Sequence, residues 1–295
     1  MEKRALGKTG MNVSVLGFGG AEIGYQSIPL ATVEKLLNSA LDAGLNVIDT
    51  AECYPAGEEL VGQAVSSRRE DFFLFTKCGH DADGGHWNPK KMSEQIDRGL
   101  QRLKTDRVDL LQLHSCDEEK LWQGDVIEVV ERAREAGKTR FVGYSGDGQA
   151  ALHAVESGRF DVLQISVSIA DQEGINLAIP AAHAKGMGVI AKRPIANTAW
   201  KYTSKPQPYH QTYWERFGSL SYDFLRGDFQ DAVSIALRFT LAVPGVHTAI
   251  VGTTQPNRWL QNAKLLEAGP LDPSQFQAIR NRWKSVAQPG WVGQT

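Results

Sequence analysis

Four residues within the first 114 have side chains that can do proton chemistry together: Asp49, Tyr54, Lys77 and His114. Each stands at or just beyond the end of a short apolar run. Asn46-Val47-Ile48 stops on Asp49, with Tyr54 in the loop that follows. Phe72-Phe73-Leu74-Phe75-Thr76 stops on Lys77, and the run from Val108 to Leu113 stops on His114. A carboxylate at the exit of an apolar strand is costly unless it is partnered or used. A free phenol, with a pKa of about 10, is a reluctant acid near neutrality. A nearby ammonium stabilises the phenolate and lowers that value. Lys77 can supply the charge, Asp49 can hold Lys77, and His114 can orient a substrate oxygen or share the proton. A phenol that donates to a carbonyl oxygen serves carbonyl reduction if a hydride donor is present. No side chain donates hydride, so this chemistry requires a nicotinamide cofactor.

The elements around these residues alternate. Apolar spacing predicts helices over 31–43, 58–67, 92–103, 122–136, 148–157, 173–185, 230–241, 256–267 and 273–286. Between them fall strands over 46–49, 72–76, 108–113, 139–144, 161–166, 188–192 and 247–251. A strand near 14–19 completes eight β-α units, and eight units in about 250 residues is the arithmetic of a (β/α)8 TIM barrel. Its strand ends meet at one face, which would bring the four residues together. An open doubly wound sheet fits less well. Gly17-Phe18-Gly19-Gly20 lacks the later glycine of a dinucleotide fingerprint, because position 22 is Glu22.

An N-terminal β-hairpin turns around Lys8-Thr9-Gly10, and an extra helix closes the C-terminus. The chain reads as one α/β domain over 1–295, interrupted by an irregular stretch at 197–228. That stretch carries Trp200, Tyr202, Tyr209, Tyr213, Trp214, Phe217, Tyr222 and Phe224. It is either a loop packing its own aromatics or a lid that walls the substrate.

Composition narrows the partners. A net charge of −2 and a pI near 6.4 give no basic footprint for nucleic acid. There is no long apolar run for a membrane and no apolar middle of a signal peptide near the start. Cys53, Cys78 and Cys116 read as reduced thiols of a cytoplasmic protein. Cys116 has no base assigned to it and reads as inert. Cys78, His80, Asp83 and His86 match no zinc spacing, and Asp81-Ala82-Asp83-Gly84 only begins a calcium loop, so no metal is expected. The substrate is a small carbonyl compound, and oligomeric state is not readable.

The sequence resembles the aldo-keto reductase superfamily. The matching text is NVIDTAECYPAGEELVG, FLFTK, GLQRLKTDRVDLLQLH, RFVGYSG, DVLQ and IVGTTQPNRWLQN, in family order over almost the whole chain. The resemblance implies an eight-stranded barrel, NADP(H)-preferring carbonyl reduction and a catalytic tetrad carried by Asp49, Tyr54, Lys77 and His114. It implies that Ser145 and Gln164 bond the nicotinamide carboxamide, with Gly20, Asp49 and Gly146 nearby. Lys192, Arg193, Pro194, Ile195 and Asn197 would follow the cofactor. Gly252, Thr253, Thr254, Arg258, Gln261 and Asn262 would hold the adenosine phosphate, where a guanidinium and a helix N-terminus suit an anion.

Three positions depart from the family pattern. Lys192 replaces an aromatic that usually stacks on the nicotinamide. Gly252 replaces a lysine common in NADP-preferring members, so NAD(H) use is open as well. Leu45-Asn46 replaces an aromatic-arginine pair. Tyr25 and Trp87 are candidate substrate contacts. Two other readings remain: a Schiff-base aldolase using Lys77, and a non-catalytic nucleotide-binding subunit.

Overall fold

The computed structural model describes residues 1–80 and 86–294. Strands β1 (Lys3–Ala5) and β2 (Asn12–Ser14) pair antiparallel and form the expected hairpin. Eight further strands run parallel and close on themselves: β3 (Leu16–Gly19), β4 (Val47–Asp49), β5 (Phe73–Cys78), β6 (Val108–His114), β7 (Thr139–Ser145), β8 (Val162–Ser166), β9 (Gly188–Lys192) and β10 (Thr248–Val251). The ring is sealed where β10 pairs with β3. Helices surround it, and Pro273–Val286 is the extra C-terminal helix. The fold is the (β/α)8 barrel that the alternation predicts.

Side chains of a strand alternate between its two faces. Ile48, Leu74, Leu111, Val142, Leu163 and Val189 belong to the large core beneath the helices. The other face of the same strands lines the barrel. There, Val47, Phe75, Leu110, Val162, Ile190 and Ile250 form a separate apolar cluster with Leu6, Met11 and Val13 of the hairpin. The hairpin therefore plugs the end where the strands begin. Two residues further along the same face stand Asp49, Lys77, Gln112, Gln164 and Lys192, and then His114. The barrel interior is apolar at its closed end and polar at its open one.

Three helical expectations need correction. The helix expected over 122–136 is two helices, Glu118–Gln123 and Asp125–Glu135, because Gly124 takes a left-handed φ of 80° between them. The helix expected over 173–185 is likewise broken at Leu177 into Glu173–Asn176 and Ala178–Ala184. The stretch 197–228 is not irregular: it holds the 13-residue helix Pro208–Leu220 between short 3-10 segments at Ala196–Lys201 and Asp223–Arg226. Tyr213, Arg216, Phe217 and Leu220 are its buried face. Tyr213 donates to Asp171 Oδ2 at 2.9 Å, and Arg216 donates to the carbonyls of Ala170 and Val292 at 3.1 and 2.7 Å. This face clamps the helix between the barrel and the C-terminal tail. A short helix at Ala21–Tyr25 follows β3 without having been expected. Among the described residues, no helix is long and apolar enough to cross a membrane.

Candidate active site

β4, β5 and β6 are neighbours in the ring, so their last residues converge at the open end. The Lys77 ammonium donates to Asp49 Oδ2 at 2.5 Å and to the Thr50 carbonyl at 2.8 Å. Asp49 Oδ1 accepts from Gln164 at 2.9 Å and Gln112 at 3.1 Å. The carboxylate is thereby fully engaged, as a buried charge must be. Tyr54 leans over this group, with the Lys77 nitrogen 5.4 Å from its ring centroid. His114 meets the Tyr54 ring edge-on at 5.8 Å, and its Nδ1 lies 3.3 Å from Cys53 Sγ.

The electrostatics differ from the expectation at Tyr54. Desolvation is the largest influence on its hydroxyl, Asp49 adds to it, and together they hold the phenol well above 10. The charge that lowers it is that of Arg193, while Lys77 is paired with Asp49 at contact distance. The phenol is thus kept in the form that donates a proton. Burial, followed by the positive charge of Lys77, holds His114 well below its ordinary value, leaving a neutral imidazole. Burial pushes the Cys53 thiol up to about 11, so it is a poor nucleophile.

Two cavities meet at Tyr54 and His114. One, of about 1360 Å³, is walled by Tyr25, Cys53, His80, His86, Arg193 and Tyr209, among others. The other, of about 560 Å³, runs along the ends of β7 to β10 past Ser145, Gln164 and Lys192 to Thr253 and Arg258.

The sequence model described as Aldo/keto reductase family matches residues 15–284. The chain belongs to this family. Its relatives include the uncharacterized oxidoreductase YqkF of Bacillus subtilis (strain 168), 28% identical over 96% of this chain and 97% of YqkF. Another is L-galactose dehydrogenase of Arabidopsis thaliana, 27% identical over 100% of this chain and 99% of that one. The holo form of aldo-keto reductase AKR11C1 from Bacillus halodurans superposes with a TM-score of 0.81 at 25% identity, covering 98% of this chain and 99% of that one. Aldo/keto reductases are oxidoreductases that use nicotinamide cofactors.

The smaller cavity of this aldo/keto reductase is lined by residues that could hold such a cofactor. Ser145 Oγ donates to Gln164 Oε1 at 3.1 Å, placing a hydroxyl and a carboxamide side by side. At the far end, Thr253, Thr254 and Arg258 lie at the start of the helix Arg258–Leu265, whose free N–H groups favour an anion. Gly20, Pro194, Ile195, Asn197, Gly252 and Asn262 also line the cavity.

Gly146 and Gln261 do not join that lining. The Gly146 amide donates to the Gln164 carbonyl, and a Cβ there would overlap the Tyr144 ring, so this glycine serves packing. Gln261 faces a different surface hollow on the outer side of its helix. Tyr25 lines the larger cavity, 5.4 Å from Tyr54 between ring centroids. Trp87 stands behind His80, packed at 5.4 Å between centroids. Residues 81–84, Asp83 among them, lie outside the described residues.

The departures acquire physical reasons. Lys192 pairs with Asp147 Oδ2 at 2.8 Å, which leaves its aliphatic stem to face the cavity where an aromatic would stand. At Gly252, the space beyond the Cα is filled by Glu22 Oε2. Burial raises the Glu22 pKa. Glu22 and Gln112 were not among the expected site residues. Gln112 is inward-facing on β6 two residues before His114, and that spacing was the available signal. Nothing local in the sequence marks Glu22, which depends on the unexpected helix.

Proposed function

We propose that the protein reduces an aldehyde or ketone to an alcohol with NAD(P)H, using Tyr54 as general acid and Asp49, Lys77 and His114 as its supporting residues. The observation that carries this is the Tyr54 phenol standing at the junction of two cavities, one running past Ser145 and Gln164 to Arg258 and the other walled by Tyr25 and Tyr209. When bound, the nicotinamide supplies the hydride. The Tyr54 hydroxyl donates its proton to the carbonyl oxygen. The remaining nitrogen of the neutral His114 ring orients that oxygen, its Nδ1 being directed at Cys53. Asp49 fixes the Lys77 ammonium beneath the ring. Ser145 and Gln164 orient the cofactor. Arg258 with Thr253 and Thr254 takes its adenosine phosphate, NADP(H) being preferred and NAD(H) also accepted. The whole chain acts as one domain in the cytoplasm.

The Schiff-base reading finds less support. The Lys77 amine is 2% exposed and tied to two acceptors, which leaves no approach for a carbonyl carbon.

The test is a fluorescence titration with NADPH and NADH, then turnover of a reactive aldehyde by wild type and Tyr54→Phe. Binding with turnover that the substitution abolishes is expected. Failure to bind either nucleotide would remove the proposal. Binding without turnover would favour the non-catalytic subunit.

A further inference from the structure

Beyond β9 the backbone is strained. Arg193, Ala196, Asn197 and Thr198 all have left-handed φ values, between 42° and 54°. Residues with a Cβ hold such backbone rarely, and where they do it tends to serve a site. Arg193 is the first of the run and lines both cavities. Its charge lies close enough to Tyr54 and His114 to lower the pKa of each.

The cations at this end of the barrel are not equivalent. Lys77 is matched by Asp49, and Lys192 by Asp147. Among the described residues, no carboxylate makes an ion pair with Arg193. It donates instead to the Gln294 carbonyl and shares a hydrogen bond with the Tyr209 side chain. A guanidinium offers five N–H donors in a planar fork, so a carbonyl and a phenol leave part of it available. Asp147 acts on its charge but is paired with Lys192, and Glu22 in the same wall is shifted by burial toward its neutral form. A half-buried guanidinium beside the reacting phenol, lacking an anion, is half of a bidentate pair.

We propose that Arg193 binds a carboxylate of the substrate, so that the physiological substrate is an oxo acid and not a neutral carbonyl compound. This rests on the reductase reading above. The fork would fix the acid end and turn the carbonyl oxygen toward Tyr54.

The experiment is steady-state turnover, with NADPH and with NADH, of 2-oxopropanoate, 4-oxobutanoate and 4-formylbenzoate, each against its methyl ester. For at least one pair the acid is expected to exceed its ester in kcat/KM by about tenfold or more, chiefly through KM. Arg193→Met should bring that ratio to about one. Arg193→Lys, which keeps the charge but loses the fork, should retain part of it. If no acid exceeds its ester in the wild type, the assignment to Arg193 falls and the reductase reading stands. It falls also if Arg193→Met weakens NADPH binding while the acid-to-ester ratio persists, since the guanidinium then serves the cofactor phosphates. Absence of both nucleotide binding and turnover removes the reductase reading and this assignment with it.

Discussion

The Lys77 ammonium and the Asp49 carboxylate meet at 2.5 Å inside the barrel, each side chain 2% exposed or less. A pair this deep is held by mutual need, because either charge alone would be stranded. Lys77→Met should therefore destabilise the fold by about 3–5 kcal/mol. Lys77→Met combined with Asp49→Asn should cost less than the sum of the two single changes. Urea unfolding of the three variants would measure this, and strict additivity would count against a coupled pair.

Tyr54→Phe removes one oxygen from the reacting phenol. The expected fall in kcat is about 10²- to 10⁴-fold, with nucleotide binding retained. Because the phenol is held well above 10 and His114 well below its usual value, kcat should stay level between roughly pH 7 and pH 9. An alkaline limb within that window, in a pH profile of kcat, would identify a different proton donor.

Glu58 gives a pH dependence of stability. It is buried, accepts from Thr76 Oγ1 at 2.7 Å, and lies 3.6 Å from Arg102. Desolvation is the larger influence and raises its pKa from 4.5 to about 7. An acid with a raised folded pKa holds its proton more tightly in the native state. Its contribution is therefore complete below about 4.5 and lost as pH rises to about 7. The loss amounts to about 3 kcal/mol. Glu58→Gln should flatten this part of the curve, which denaturant unfolding at several pH values would reveal.

Gly252→Lys tests the cofactor end. The new side chain would collide with Glu22 Oε2, so the single change should bring little gain. Gly252→Lys with Glu22→Ala clears the space and should raise the NADPH-to-NADH ratio of kcat/KM by about tenfold, the worth of one charge-assisted hydrogen bond. Initial rates with the two nucleotides decide it.

The barrel was legible because each strand is a short apolar run ended by glycine-punctuated helices, and the period is the same throughout. The four residues at strand exits were legible for the same reason. The helix Pro208–Leu220 was hidden by its composition. Tyr213, Arg216, Phe217 and Leu220 do follow helical spacing, but an arginine in the buried row breaks the apolar pattern. Asp171, the partner that makes that arginine admissible, lies far away in sequence. The aromatics of 197–228 divide between the two readings. Trp200 and Phe217 pack edge-on at 5.3 Å beneath the helix, whereas Tyr209 lines both cavities. The behaviour of Tyr54 was misjudged because sequence shows that a lysine is near, not that burial dominates the phenol.

The hairpin stops the base of the barrel, so the cavities that reach Tyr54 lie at the end where the strands finish. The occupants of the two cavities would then meet at Tyr54 and His114, side chains that both cavities share.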